Sequence, residues 1–208
     1  MKILQYVALI AVAGLPVLVS AQVIAQGSGP DVQPAVFCQG QYALCIKAPC
    51  APIIDKNGNI TSFTCVCDVK PGWSMGPGSC DSRVPFAKNS YTFLMSTYSN
   101  FYNKQNLTMT CNANTARPTP WAWCYGAPCM VDPVDPTKAT CTCPVGRENP
   151  MQTLGGTCGT TGGGCNGFWS AATTADDNYA NTHFYEYMQQ NHPDYPANPP
   201  AAMCPTTR

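Results

Sequence analysis

The chemistry this chain could perform is concentrated in 14 cysteines, two histidines and one serine motif within 208 residues. Cysteine sulfur can close disulfides or, when reduced, hold a zinc cluster. No cysteine pair has C-x-x-C spacing, so a thioredoxin-type redox pair and C-x-x-C-H haem attachment are both absent. Gly72-Trp73-Ser74-Met75-Gly76 matches the G-x-S-x-G nucleophile pattern of hydrolases. That elbow needs a buried strand before the serine and a helix after it. Here Pro71 lies just before and Gly76-Pro77-Gly78 follows, so the segment reads as a turn in a disulfide loop. His183 and Glu186 are one helical turn apart, but a metal site needs more ligands than this segment offers. The sequence thus assigns no catalytic residue, no metal site and no cofactor.

Trp121 and Trp123 are the candidate ligand-binding residues. They alternate beside Cys124, so on a strand they share one face. Exposed, they would stack on a sugar ring or another flat apolar ligand; buried, they would form the core around them. Trp73 and Trp169 are isolated by comparison. Asp132-Pro133 and Asp135-Pro136 read as turn chemistry rather than as calcium ligands. Asn59-Ile60-Thr61 and Asn106-Leu107-Thr108 match the N-glycosylation acceptor pattern.

The cysteines that dominate the chain fall into a repeat. Residues 45–80 read C-x4-C-x14-C-x-C-x12-C, and residues 124–158 read C-x4-C-x11-C-x-C-x14-C. Cys45, Cys50, Cys65, Cys67 and Cys80 correspond to Cys124, Cys129, Cys141, Cys143 and Cys158. Ala48-Pro49 recurs as Ala127-Pro128, Thr64 as Thr140 and Gly78 as Gly156. A near-constant offset points to a duplicated unit. Cys38 and Cys111 precede the two blocks, and Cys165 and Cys204 lie after them.

The first residues read as an export signal. Lys2 is followed by an apolar run from Ala8 to Val19 and the small-residue site Val19-Ser20-Ala21. Export and an even cysteine count together predict seven disulfides and no free thiol, with a reduced zinc cluster the lesser reading. A bridge closing a loop of about 15 residues stabilises by roughly 3 kcal/mol, which offsets a thin core. The core should be thin, because 20 Pro and 17 Gly interrupt long elements. Eleven basic and eleven acidic residues balance, which argues against a nucleic-acid partner and a polybasic membrane anchor. No later apolar run is long enough to span a bilayer.

The elements that must position these residues follow from local pattern. Residues 1–21 are the signal peptide and 22–37 a lead-in with Gly27-Ser28-Gly29-Pro30. Unit 1 spans 38–80, an aromatic-rich connector 81–110, unit 2 111–158, and a Gly-rich loop, helix and Pro-rich tail 159–208. Asn57-Gly58 between Ile54 and Ile60 predicts a hairpin with a type I′ turn. On its return strand Phe63, Cys65 and Cys67 share the inner face. Ala139, Cys141 and Cys143 do the same after the turn Asp135-Pro136-Thr137-Lys138. Residues i and i+2 of a strand are too far apart to bridge comfortably, so each C-x-C pair should staple its strand to two different segments. A helix is predicted over 176–190, with Thr174 as N-cap, Asp176 and Asp177 in the first turn, and Phe184 and Met188 as an apolar pair. Cys165 is expected to join Cys204.

With Cys38 and Cys111 included, each unit has the order C…C-x4-C…C-x-C…C, and Gly72-Trp73 follows the first C-x-C. This arrangement resembles epidermal-growth-factor-like modules over residues 38–80 and 111–158. The resemblance implies that in each unit the first cysteine pairs with the third, the second with the fourth and the fifth with the sixth. The family's acidic calcium-binding cluster is not found before Cys38 or Cys111.

The expected fold is therefore a small, disulfide-rich, mainly β protein with two cysteine-stapled hairpin units and one C-terminal helix. The expected role is structural or interactive, secreted or periplasmic, with an unknown protein or glycan partner at the cell exterior. The alternatives are a ligand-binding module using Trp121 and Trp123, and a secreted hydrolase with an unrecognised site.

Overall fold

A computed structural model describes residues 35–101, 107–111, 119–155 and 167–195. The signal segment, Asn106, Cys158, Cys165, Cys204 and the Cys165–Cys204 pairing lie outside the described residues. Among the described residues the fold is mainly β with one α-helix. Among the described residues no helix is long and apolar enough to cross a membrane.

The central strand is β3 (Ile60–Gly76), which follows β1 (Val36–Leu44) and β2 (Pro49–Ile54). Its first half pairs antiparallel with β2, and its second half pairs with β1 from Leu44↔Asp68 to Val36↔Gly76. On its other side β3 pairs with β9 (Lys138–Cys143), which pairs with β8 (Pro128–Val131). Beyond β8 come β5 (Tyr91–Met95) and the edge strand β4 (Phe86–Lys88); β12 (Phe168–Trp169) covers the far edge at β2. The two C-x-C strands thus meet in one sheet. Smaller sheets are made by β7 (Trp121–Ala122) with β10 (Val145–Gly146), and by β6 (Leu107–Cys111), β11 (Met151–Gly155) and β13 (Ala172–Thr173).

The disulfides are nested. Cys38 bonds Cys80, Cys45 bonds Cys67 and Cys50 bonds Cys65. In the second half Cys124 bonds Cys143 and Cys129 bonds Cys141; Cys111 is also oxidised. The pairing in the first half is first-to-sixth, second-to-fifth and third-to-fourth. It replaces the pairing implied by the epidermal-growth-factor resemblance. The reason is the strand register: Cys50 lies directly opposite Cys65, and Cys129 directly opposite Cys141. Both pairs have Cα atoms 4.1 Å apart, close enough for the directly opposed bond. Each C-x-C pair does staple its strand to two different segments.

The halves match in local detail. Ala48 N–H donates to the Cys45 carbonyl at 3.0 Å, and Ala127 N–H to the Cys124 carbonyl at 3.0 Å. The third residue of each turn is left-handed, Lys47 at φ 55° and Gly126 at φ 77°. Ala48 O and Ala127 O then accept from Ser170 N and Ser96 N. The β3–β9 register pairs Phe63 with Cys143, Cys65 with Cys141 and Cys67 with Ala139. Exchanging the two halves maps this register onto itself, with the Cys65/Cys141 pair at its centre.

The inner face is a core of sulfur and alanine. Eight half-cystines pack with Ala43, Ala48, Ala122, Ala127 and Ala139, and Phe63 is the large buried group among them. Sulfurs of different bridges touch, with Cys141 Sγ 3.2 Å from Cys45 Sγ and 3.3 Å from Cys67 Sγ. A second cluster seats the helix α1 (Thr174–Asn191) through Phe184 and Met188 on Met75 and Tyr98. The helix starts one residue earlier than Thr174 predicts as a cap: Thr173 accepts from Asp176 N through its side chain.

The turn chemistry also shifts. Gly58 has φ 82° while Asn57 does not enter the left-handed region, so the hairpin is not type I′. Asp55 organises the loop instead, accepting from Asn57 N and Asn59 N, and these amide bonds lower its carboxyl pKa. Two consecutive left-handed residues occur at Asn89 and Ser90, joining β4 to β5.

Candidate functional site

Two surfaces of the fold could engage a partner: the outer face of the main sheet, and a cavity between α1 and the sheets. The outer face is generated by alternation. Because Cys65, Cys129, Cys141 and Leu94 point inward, their neighbours point out. Val66 pairs with Thr140, Thr140 with Met130, Met130 with Phe93 and Phe93 with Phe86. These five side chains form one cross-strand row roughly 19 Å long, at about 4.8 Å per strand. Val66 is 49% and Phe86 43% exposed, and the Phe86 and Phe93 rings stack at 5.4 Å. The adjacent row is charged: Lys138 and Lys70 both reach Asp68, at 2.7 and 3.2 Å. Burial raises the Asp68 pKa, but these hydrogen bonds win and the net shift is downward.

The cavity, about 90 Å³, is lined by Ile46, Met75, Trp123, Tyr125, Tyr179 and the first turns of α1, among others. Asp177 lies at its wall, 6% exposed. Burial pushes its carboxyl pKa up to about 6, against a hydrogen bond from Asn181. Asn181 Nδ2 donates to the Asp177 carbonyl at 2.8 Å, and the Tyr98 hydroxyl donates to Asn181 Oδ1 at 2.6 Å. The Tyr125 hydroxyl is buried without a partner, and burial raises its pKa.

The two tryptophans separate. Trp121 is 2% exposed; its indole N–H donates to the Glu148 carbonyl at 2.9 Å, and its ring covers Gly146. It is a core residue, with neither face open to a stacking ligand. Trp123 is half-buried, meets Trp121 edge-on at 5.7 Å and lines the cavity. The two rings stay in contact, and Trp123 N–H donates to the Pro144 carbonyl at 2.9 Å, so they differ in burial rather than in pairing.

The other chemistry-bearing residues disperse. Ser74 is buried in β3 opposite Cys38, and the chain runs on to a turn at Gly78 rather than into a helix. His183 packs on Phe37 and Tyr179, and His192 stacks on Trp73 at 3.9 Å. The Asp132 carboxylate accepts from Val134 N and Asp135 N, and Asp135 from Thr137, as turn chemistry requires. Among the described residues, the groups able to gather three metal ligands are Cys45/Cys67/Cys141 and Cys65/Cys124/Cys143. All six sulfurs are committed to disulfides. Asn59 is exposed in the hairpin loop.

Sequence reasoning missed the outer row and the burial of Asp177 and Arg83. Alternation around each C-x-C pair was the available signal for the row. The burial of Asp177 and Arg83 depends on contacts from distant elements. No protein-family model, no curated protein and no solved structure matches this chain.

Proposed function

We propose that the chain is an exported interaction protein without catalytic activity, built from a duplicated disulfide unit, whose outer sheet face binds another protein. The observation that carries this reading is the row Val66–Thr140–Met130–Phe93–Phe86. Nested disulfides tie down the inner face, and the outer row has Val66 and Phe86 exposed at its ends with Thr140, Met130 and Phe93 half-buried between them. Aromatic residues and Met are enriched in protein interfaces, and a contiguous exposed apolar patch marks such a site. The row crosses five strands, an extent that suits a protein surface better than a single sugar ring. Export rests on the Lys2 to Ala21 signal pattern together with the oxidised cysteines.

The test is a binding screen of the oxidised protein against arrays of extracellular proteins and glycans. Binding to a protein that is lost in Phe86→Lys/Met130→Lys but kept in Trp123→Ala supports the reading. A second reading, a small-ligand module, is favoured by Trp123 and Tyr125 lining one cavity. It gains if Trp123→Ala alone abolishes binding. Ester or glycoside turnover abolished by Ser74→Ala would contradict both.

A further inference from the structure

Arg83 lies in the short 3-10 turn Asp81–Arg83, directly after Cys80. The Cys38–Cys80 bridge ties this turn to β1 and so fixes where Arg83 enters the fold. Arg83 is only 7% exposed. Its Nη2 donates to the Val36 carbonyl at 2.9 Å, while Nε and Nη1 are buried with no hydrogen-bond partner. A β-carbon on Gly76 would overlap both Arg83 Nη1 and the Thr97 methyl, so the guanidinium and Thr97 meet against this glycine. The Thr97 hydroxyl is likewise buried without a partner.

Among the described residues no carboxylate forms an ion pair with Arg83. Both ion pairs among the described residues are made by Asp68, with Lys70 and Lys138. Tyr125 interacts electrostatically with Arg83, but burial raises its phenol pKa and keeps it neutral. A cavity of about 240 Å³ is lined by Arg83, Thr97, Ser74, Gln39 and Gln41, and among the described residues by no carboxylate. A buried charge without a partner is strongly destabilising, and a guanidinium matches a planar or tetrahedral oxyanion through paired N–H donors. The amides and hydroxyls around it add neutral donors without competing negative charge.

We propose that the cavity at Arg83 binds a free small oxyanion, of the carboxylate or sulfate type, with the guanidinium as counter-charge and the Thr97 hydroxyl as an adjoining donor. This site is independent of the outer row and of the cavity beside Trp123.

The test titrates the oxidised full chain with sodium sulfate and, separately, sodium acetate, at ionic strength held constant with sodium chloride. The readouts are the thermal midpoint and the NMR signal of the Arg83 Nε–H. The wild type should show a saturating rise in midpoint and a saturating shift of that signal. Arg83→Met should weaken sulfate affinity at least tenfold, and Thr97→Val should weaken it severalfold. If Arg83→Met does not fold, Arg83→Lys keeps the charge without the fork and should bind several times more weakly. Equal responses in wild type and Arg83→Met would mean bulk screening and would overturn the site. So would a wild type with no saturable response.

Discussion

Cys65 and Cys141 lie directly opposite each other where β3 meets β9, yet each is bonded within its own hairpin, to Cys50 and to Cys129. The sheet is therefore continuous across the halves while every described bridge stays inside one half. Partial reduction with peptide mapping should return Cys38–Cys80, Cys45–Cys67, Cys50–Cys65, Cys124–Cys143 and Cys129–Cys141. The intact mass should lie about 14 Da below the reduced chain, one hydrogen for each of the 14 cysteines. A Cys65–Cys141 or Cys45–Cys141 bridge would contradict the nested arrangement.

Phe63 is fully buried in a core otherwise made of alanine and cystine. Replacing it with Ala should cost about 3 to 5 kcal/mol, since few neighbours can collapse into the space. Thr64→Ala, on the outward side, should stay within about 0.5 kcal/mol. Urea melts of the oxidised proteins compare the two. A larger loss at Thr64 would mean that the strand is turned over.

The equivalent turns differ at one position. Lys47 holds a left-handed backbone that Gly126 adopts without strain. Lys47→Gly should therefore stabilise by up to about 1 kcal/mol, and Gly126→Ala should destabilise by at least that much. The Gly126 change also drives a β-carbon toward the Pro77 ring. Denaturant midpoints at equal slope test both.

Asp177 sets a pH dependence. Burial raises its folded pKa to about 6, above the ordinary 3.8, so the folded state takes up a proton first as pH falls. Its contribution to stability is greatest below the unfolded value, and it is lost as pH rises from about 4 to 6. Asp177→Asn should remove this slope and stabilise the protein above pH 6 by up to about 3 kcal/mol. A melt series from pH 4 to 8 that shows the same slope in both proteins would remove Asp177 as its source.

Much of the β framework was legible in the sequence, because the C-x-C strands alternate strictly. Phe63, Cys65, Cys67, Ala139, Cys141 and Cys143 all point inward as that alternation requires. The helix was legible from its acidic first turn and the Phe184/Met188 pair. Disulfide pairing was not, because cysteine order leaves the strand register open, and register decided it at Cys50/Cys65 and Cys129/Cys141. Trp121 and Trp123 were not separable either. Their fates depend on Gly146 and Glu148 arriving from β10 and the turn beyond it. The type I′ signal at Asn57-Gly58 was outweighed by Asp55, whose carboxylate captures two loop amides.

The central claim is that the outer sheet face is the contact surface. Oxidative footprinting of the oxidised protein, alone and with the partner found on the array, tests it most directly. The account predicts protection of Met130, Phe86, Phe93 and Tyr91, with Trp123 and Tyr179 unchanged. Protection confined to Trp123 and Tyr179, with Met130 and Phe86 oxidised as in the free protein, would contradict it.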